Sequence, residues 1–569
     1  MKKVFIISAL LLSAAAAAQN LNPVVEVTNV YAREATGIEK PEQLLPLPDS
    51  VFKFNLDFDY SVKSTPYKGA YEFNPYLVQM RPSARLSREH TFYLNAGAGY
   101  RMHPEVDVVW NPVRKDNFRV NLYATHRSYM GHFRNITLQG DENSKSWLWD
   151  GTMKADGGVN ARTEAGADLL YAFKGGQLSA DMQYRNIAAT DFFTNAQEPH
   201  AYAHHKGQFQ ARVQNNPGTR FLYNVGTRIA YLGYAEIKEF HTVSDASIGI
   251  RAGRNNSFRL ALGLETASFD EDGSALKLEV APHYSINTKR LNLDLGIKYS
   301  YISNNSYQYP YKGGILFPDV HFSLRLADAA VLQASATGGD KLHTYDSLLE
   351  DNPFLGAFAW HRDVTVNRVH VMAGLRGSVA ARFSYDVRVG YKWLDNAYGW
   401  SYMDVPGPWS YMDVPGPESG GDVIFLKMMP TMVYVSPLHT TYVQATLGWN
   451  SPSWDIQAYA NYSNTPMPKL ETEVEKHVFA PAVFNGSGHI FYKWADRIKV
   501  GVTVEARSKL RNLKPIPGYQ DLGLYAEYTF GRKMAVWVKA GNLLNQTIQR
   551  IPFHAEAGIY GSAGVKLVL

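Results

Sequence analysis

By residue type, His126, His132, Asp181, His204 and His205 are side chains that could belong to a metal site or an acid/base pair. Such chemistry needs its donors to converge on one point. Consecutive side chains of a strand point to opposite faces, so the adjacent His204 and His205 cannot share a metal ion unless a bulge intervenes. No spacing resembles a zinc-binding helix, a nucleophile elbow or a phosphate-cradling glycine loop. The chain therefore reads as a non-enzyme that calls for no cofactor and no metal.

The charged residues follow another pattern. Arg119, Arg259, Glu265, Asp294, Lys298, Arg388, Lys499, Glu505 and Arg507 fall on the polar side of segments whose other side is apolar. Both signs are common among them. That mixture suits a hydrated wall of cross-strand pairs better than a catalytic dyad, and it marks these residues as candidates to face the lumen of a barrel.

The segments that carry them have a period of two. In Leu291 to Tyr301, Leu291, Leu293, Leu295, Ile297, Tyr299 and Tyr301 share one face, and Asn292, Asp294, Gly296, Lys298 and Ser300 share the other. Phe118 to Thr125, Phe258 to Glu265, Phe383 to Trp393 and Ile498 to Arg507 split the same way. Strands this long and polar on one side match the roughly 9 to 11 residues of a tilted membrane strand. A soluble sandwich would turn more often. The last run, Gly558 to Leu569, puts Val565, Leu567 and Leu569 on one face, and a strand there needs a partner. The first strand of a closed barrel is the economical one, since closure leaves no edge. The expected fold is all-β, a transmembrane antiparallel barrel of about 22 strands (roughly 18 to 24), an even number being usual in bacteria.

Connections alternate in length. Short turns are expected at Lys174-Gly175-Gly176, Asn215-Asn216-Pro217-Gly218, Arg254-Asn255-Asn256, Thr288-Lys289, Ala327-Asp328 and Gly531-Arg532-Lys533. Longer polar connections lie at Gly131 to Gly158, Ala189 to Ala201, Asp340 to Val366 and Asp395 to Gly421, as expected of periplasmic turns and external loops. The alternation falters between Ser436 and Ile498, where the short turn Ser451-Pro452-Ser453 lands on the supposed outer side. Trp400 to Pro408 is repeated at once as the identical Trp409 to Pro417. Two prolines per copy keep the repeat out of a ladder's interior and assign it to a loop.

Composition agrees with a membrane barrel. The net charge of +5 is spread along the chain and gives no basic block for nucleic acid. Beyond the N-terminus no apolar run is long enough for a spanning helix. The 36 Tyr and 11 Trp suit aromatic girdles at two membrane interfaces. The chain has no cysteine, so disulfides play no part.

Residues 1–18, with Lys2 and Lys3, an apolar run and the small Ala16-Ala17-Ala18, read as a cleavable signal peptide. Residues 19–85 are proline-rich and lack sustained alternation. They are expected to be a periplasmic tether or a reduced plug in which Phe52, Phe54, Phe58, Tyr60 and Tyr67 pack inside the lumen. Residues 86–569 are expected to form the barrel.

Gly541-Asn542-Leu543-Leu544-Asn545-Gln546 resembles the Asn-Leu-Phe-Asn pattern near the end of TonB-dependent receptor barrels. Gly338-Gly339-Asp340, with Tyr345, Leu348, Leu349, Glu350 and Asn352-Pro353-Phe354, resembles a segment of a plug-less branch of those barrels. The resemblance covers roughly residues 80 to 569 and implies a fold and a membrane. It implies a channel or transporter of the bacterial outer membrane, with a periplasmic N-terminus and no full plug domain. The alternative is a non-transporting structural or accessory subunit of a larger outer-membrane complex. Expected partners are outer-membrane lipid, an unidentified solute and other outer-membrane or periplasmic proteins.

Overall fold

The computed structural model describes residues 91–569 except 116, 135–136, 140–147, 151–153, 192–199, 217–218, 235–236, 270–272, 306–310, 355–363, 381, 405–427, 468–477, 479, 496, 512–515, 532, 553 and 557. The expected signal peptide, the segment 19–85 and most of the duplicated stretch lie outside the described residues.

Alternation sets the faces of every wall strand. In Leu291–Asn304, Leu295, Ile297 and Tyr299 are 43%, 53% and 47% exposed, whereas Ser300 on the opposite face is 1% exposed. Pairing register extends this face sideways. Leu262, Val280, Tyr299 and Leu316 stand abreast on four successive strands, and all are exposed. Water-facing surfaces seldom carry apolar patches wider than a few hundred Å². Here the apolar face continues from strand to strand.

Twenty-two strands form one antiparallel sheet in which each wall strand pairs with the next in the chain. The first, Phe92–Tyr100, pairs with the last, Tyr560–Val568, from Tyr93 opposite Val568 to Tyr100 opposite Gly561. The sheet is therefore a closed barrel, and its count matches the expected number. Trp537 fastens the seam. Its ring lies against Gly97 and Gly564, which oppose each other across the closure, and its indole N–H donates to Asn95 at 2.7 Å. A Cβ at either glycine would collide with that ring.

One end of the barrel carries short turns alone, and every long connection lies at the other, which also has short ones at Arg101, 235–236 and 270–272. Among the described residues, two small hairpins stand outside the main sheet: Thr137–Gln139 with Leu148–Asp150, and Ala397–Asp404 with Met428–Val435. The second corrects the faltering alternation. Phe383–Asp395 pairs directly with Leu438–Asn450, so the hairpin between them adds two strands to the chain but none to the wall. Ser451 to Ser453 then falls on the short-turn end with the other tight turns. The repeat begins inside this hairpin, its first copy running as strand to Asp404. Trp400 is only 1% exposed.

Candidate functional site

After the strand Ala330–Leu342 the chain turns away from the wall. Gly338 sits where the ladder register shifts, and a Cβ there would come within 2.7 Å of the Phe317 ring. Gly338-Gly339-Asp340 thus combines a bulge, which bends a strand, with close packing that only glycine permits. Asp340 anchors the bend, because Lys277 reaches its carboxylate at 3.1 Å and its carbonyl at 3.0 Å.

A single helix follows, Tyr345–Asp351. Thr344 caps it, accepting from the Ser347 N–H while Ser347 accepts from the Thr344 N–H. It stops at Asn352, which precedes Pro353, a position that disfavours helical backbone. Seven residues make a helix that is marginal alone in water, so packing must hold it. Tyr345, Leu348 and Leu349 are 1% exposed or less, in one apolar cluster with Leu232, Phe269, Phe317, Trp400, Leu510 and Ile516. Burying each such side chain contributes about 1.5 to 3 kcal/mol.

Charge fixes where the helix sits. Register places Glu164, Arg185, Lys206, Leu232 and Glu239 in one row across five successive strands, about 4.8 Å apart. Asp346 is ion-paired to Arg185 and, at 2.6 Å, to Lys206. Glu350 is ion-paired to Arg185 and lies 3.9 Å from Arg162. Glu239 accepts the backbone N–H of Tyr345. Burial alone would raise the Asp346 carboxyl, but Arg185 and Lys206 outweigh it and hold that group well below the usual carboxylate range. The helix leaves the wall between Ala330–Leu342 and Val364–Val379 yet meets strands far around the closed sheet, so its path crosses the interior. We call residues 343–354 the strap.

Its far end meets the last long connection. Phe354 stacks on His554 with centroids 3.7 Å apart and planes 10° apart, and it clusters with Ala189 and Ile551. That connection is itself pinned. Buried Arg550 is ion-paired to Glu505 and Asp521, both at 3.1 Å, and to Glu556. Arg507 donates to the carbonyls of Gln549 and Arg550 at 2.5 and 3.0 Å. The Asn-Leu-Leu-Asn motif starts this connection. Asn542 and Asn545 take φ of 47° and 51°, a region asparagine tolerates better than most residues, and the Asn542 side chain both donates to and accepts from the Gln546 backbone.

The charged residues singled out in the sequence fall into separate networks. Arg259 pairs with Asp294, which also accepts from Ser285 at 3.0 Å. Glu265 meets His241 at 2.9 Å and Lys277 at 3.7 Å. Arg388 pairs with Asp386, and Lys499 lies 4.2 Å from the Phe491 ring centroid. Arg119 stands in register with Arg114 and Leu170, and Lys298 lies beside Gly339. Glu505 and Arg507 come together around Arg550. Of the histidines, His126 bonds Thr163 at 2.8 Å, His204 is fully buried, and His205 is exposed and bonded to Tyr184 at 2.7 Å, so the adjacent pair does split between faces. The residues that reasoning on pattern alone missed are Arg162, Arg185, Lys206, Glu239 and Arg550. The strap motif was visible, but the wall that receives it was not.

No protein-family model and no curated protein matches the sequence. Among solved structures, the FrpB iron transporter of Neisseria meningitidis superposes with a TM-score of 0.60 at 8% identity, covering 85% of this chain and 83% of that one. The ferric enterobactin receptor PfeA of Pseudomonas aeruginosa gives 0.57 at 10%, covering 84% and 80%. The siderophore receptor PiuA of Acinetobacter baumannii gives 0.57 at 9%, covering 85% and 82%. At such identity the likeness is one of fold alone, and a transmembrane-type antiparallel barrel is the fold the sequence led us to expect.

Proposed function

We propose that this chain is an outer-membrane channel or transporter, a receptor-like barrel without a full plug domain, whose lumen is obstructed by its own strap. The observation that carries this reading is the strap itself, a capped helix with a buried apolar face and wall-paired carboxylates, bridging the inside of a closed 22-stranded barrel. A barrel of that size otherwise leaves a wide interior. The exposed apolar face supports contact with lipid, and the polar side chains opposite, Arg119, Arg259, Glu265, Asp294, Lys298, Arg388, Lys499, Glu505 and Arg507, are assigned to the lumen. The short-turn end, with Thr91 and Leu569, is assigned to the periplasm. The similar solved structures are named as an iron transporter and siderophore receptors, which favours carriage of a solute over catalysis.

Planar-bilayer recording tests the proposal. The intact chain should conduct poorly, and deleting His343 to Phe354 should raise single-channel conductance severalfold. Deleting Gln19 to Arg85 with the signal peptide retained separates the strap from a plug formed by the N-terminal segment. If neither deletion changes conductance, the transport reading fails and the accessory-subunit alternative takes its place.

A further inference from the structure

Beneath the strap, the wall supplies the cations, with Glu164 among them, and the helix brings two further carboxylates. Arg162, Arg185 and Lys206 belong to three adjacent strands; Arg162 donates to Glu164 of its own strand at 2.8 Å with Glu350 3.9 Å away, and Asp346 and Glu350 of the helix meet Arg185 and Lys206. One guanidinium, that of Arg185, serves both carboxylates. Asp346 and Glu350 are one helical turn apart, which sets their Cβ atoms roughly 5 to 6 Å apart. Without the helix, the wall would hold these three cations with Glu164 alone directly beside them, Glu239 standing beyond Leu232 in the same row.

Donor capacity also remains there. Arg185 is 5% exposed and its Nε has no hydrogen-bond partner. His204 shares a face with Lys206, is completely buried, and has both ring nitrogens unpartnered. Buried polar atoms left so cost stability, and each calls for an explanation. A ligand with more acceptor oxygens than two carboxylates would use them.

We propose that Arg162, Arg185 and Lys206 form a binding site in the barrel wall for a small solute carrying two anionic groups, and that Asp346 and Glu350 occupy it as an internal stand-in until such a solute displaces them. Guanidinium groups bind planar carboxylates and phosphates through paired hydrogen bonds, which makes arginine the fitting residue for such a site. Glu350, with its side chain 34% exposed, is the side from which a solute arrives. Asp346, 14% exposed, is displaced second. The site's part in passage rests on the transport reading above, but binding is read on the purified chain and stands or falls apart from conductance.

Calorimetric titration of the full chain in lipid nanodiscs, with citrate against acetate at matched ionic strength, tests the assignment. Citrate should bind the unaltered chain weakly and acetate not at all. The double variant Asp346→Asn, Glu350→Gln should bind citrate at least tenfold more tightly, and Arg185→Gln should lose it. Equal citrate affinity in the double variant and the unaltered chain, or no preference for citrate over acetate, overturns the proposal. Should a variant not show the heat-dependent gel mobility of a folded barrel, hydrogen exchange on the unaltered chain decides instead. Saturating citrate must then speed exchange at the Leu348 and Asn352 amides, and unchanged rates refute displacement.

Discussion

Leu295 and Asn292 lie on opposite faces of one strand, both exposed, and they separate the two environments of the wall. An arginine on a lipid-facing position near the bilayer midplane costs about 2 to 4 kcal/mol. Leu295→Arg should therefore lower the urea midpoint of the barrel refolded in liposomes by an amount equivalent to that cost. Asn292→Arg should stay within about 0.5 kcal/mol. Equal losses at the two positions would mean that the faces are assigned wrongly. Side-chain facing was legible in the sequence because alternation is local. Arg185 was not, because what gives it meaning is Asp346, 161 residues away across the interior. Nothing in the period of Gly176–Asp191 distinguishes an arginine that faces water from one that holds a helix.

At the scale of elements, the strap should be sensitive to acid. The Asp346 carboxyl is held below its usual range in the folded chain, so as pH falls the unfolded state takes up the proton first. Its contribution is complete above about 3.9, the ordinary aspartate value, and is lost as pH falls through the lower folded value. His343 acts in the same direction. Burial, then Lys341, depress its pKa well below 6.5, so its contribution is present above that value and declines as pH drops beneath it. Exchange rates at the Leu348 and Asn352 amides, corrected for intrinsic pH dependence, should show protection decreasing below about 6.5 as His343 loses its contribution, and a further decrease from Asp346 only below about 3.9. Flat protection between about 6.5 and 4 would remove the buried His343 from any role in holding the strap. The strap motif was readable before any coordinates, since Gly338-Gly339-Asp340 and Tyr345 to Phe354 are unusual in a strand connection. Its depth inside the barrel was not readable, because helix propensity and capping are local while the apolar cluster draws on residues from Leu232 to Ile516. The hairpin Ala397–Asp404 with Met428–Val435 escaped for a related reason. Its strands look like wall strands in sequence, and only pairing tells them apart.

The whole barrel depends on the contact between its first and last wall strands. Removing Tyr560 to Leu569 should leave Phe92–Tyr100 and Met534–Gly541 each with one edge unpaired. The shortened chain should lose heat-dependent gel mobility and accumulate as aggregate, because unpaired edges recruit other strands. A shortened chain that still behaves as a folded barrel would disprove closure through this pair. The strand count followed from alternation along the chain, whereas the closure residues Asn95, Gly97, Trp537 and Gly564 carry no pattern that announces their meeting.

Closure also imposes an order in time. Every other wall pairing joins neighbours along the chain, so those hairpins can form as soon as both strands exist. The pair Phe92–Tyr100 with Tyr560–Val568 must wait for the entire polypeptide, and long loops are slow to close. Until then the growing sheet has two open rims, and Trp537, with the glycines it covers at the seam, completes the last step of assembly. The strap's wall partners Arg162, Arg185, Lys206 and Glu239 all precede it in the chain, and its Phe354 waits only for His554. A chain stalled before its final strand would therefore lack a closed wall, and the cell would meet an unfinished sheet rather than a leaking pore.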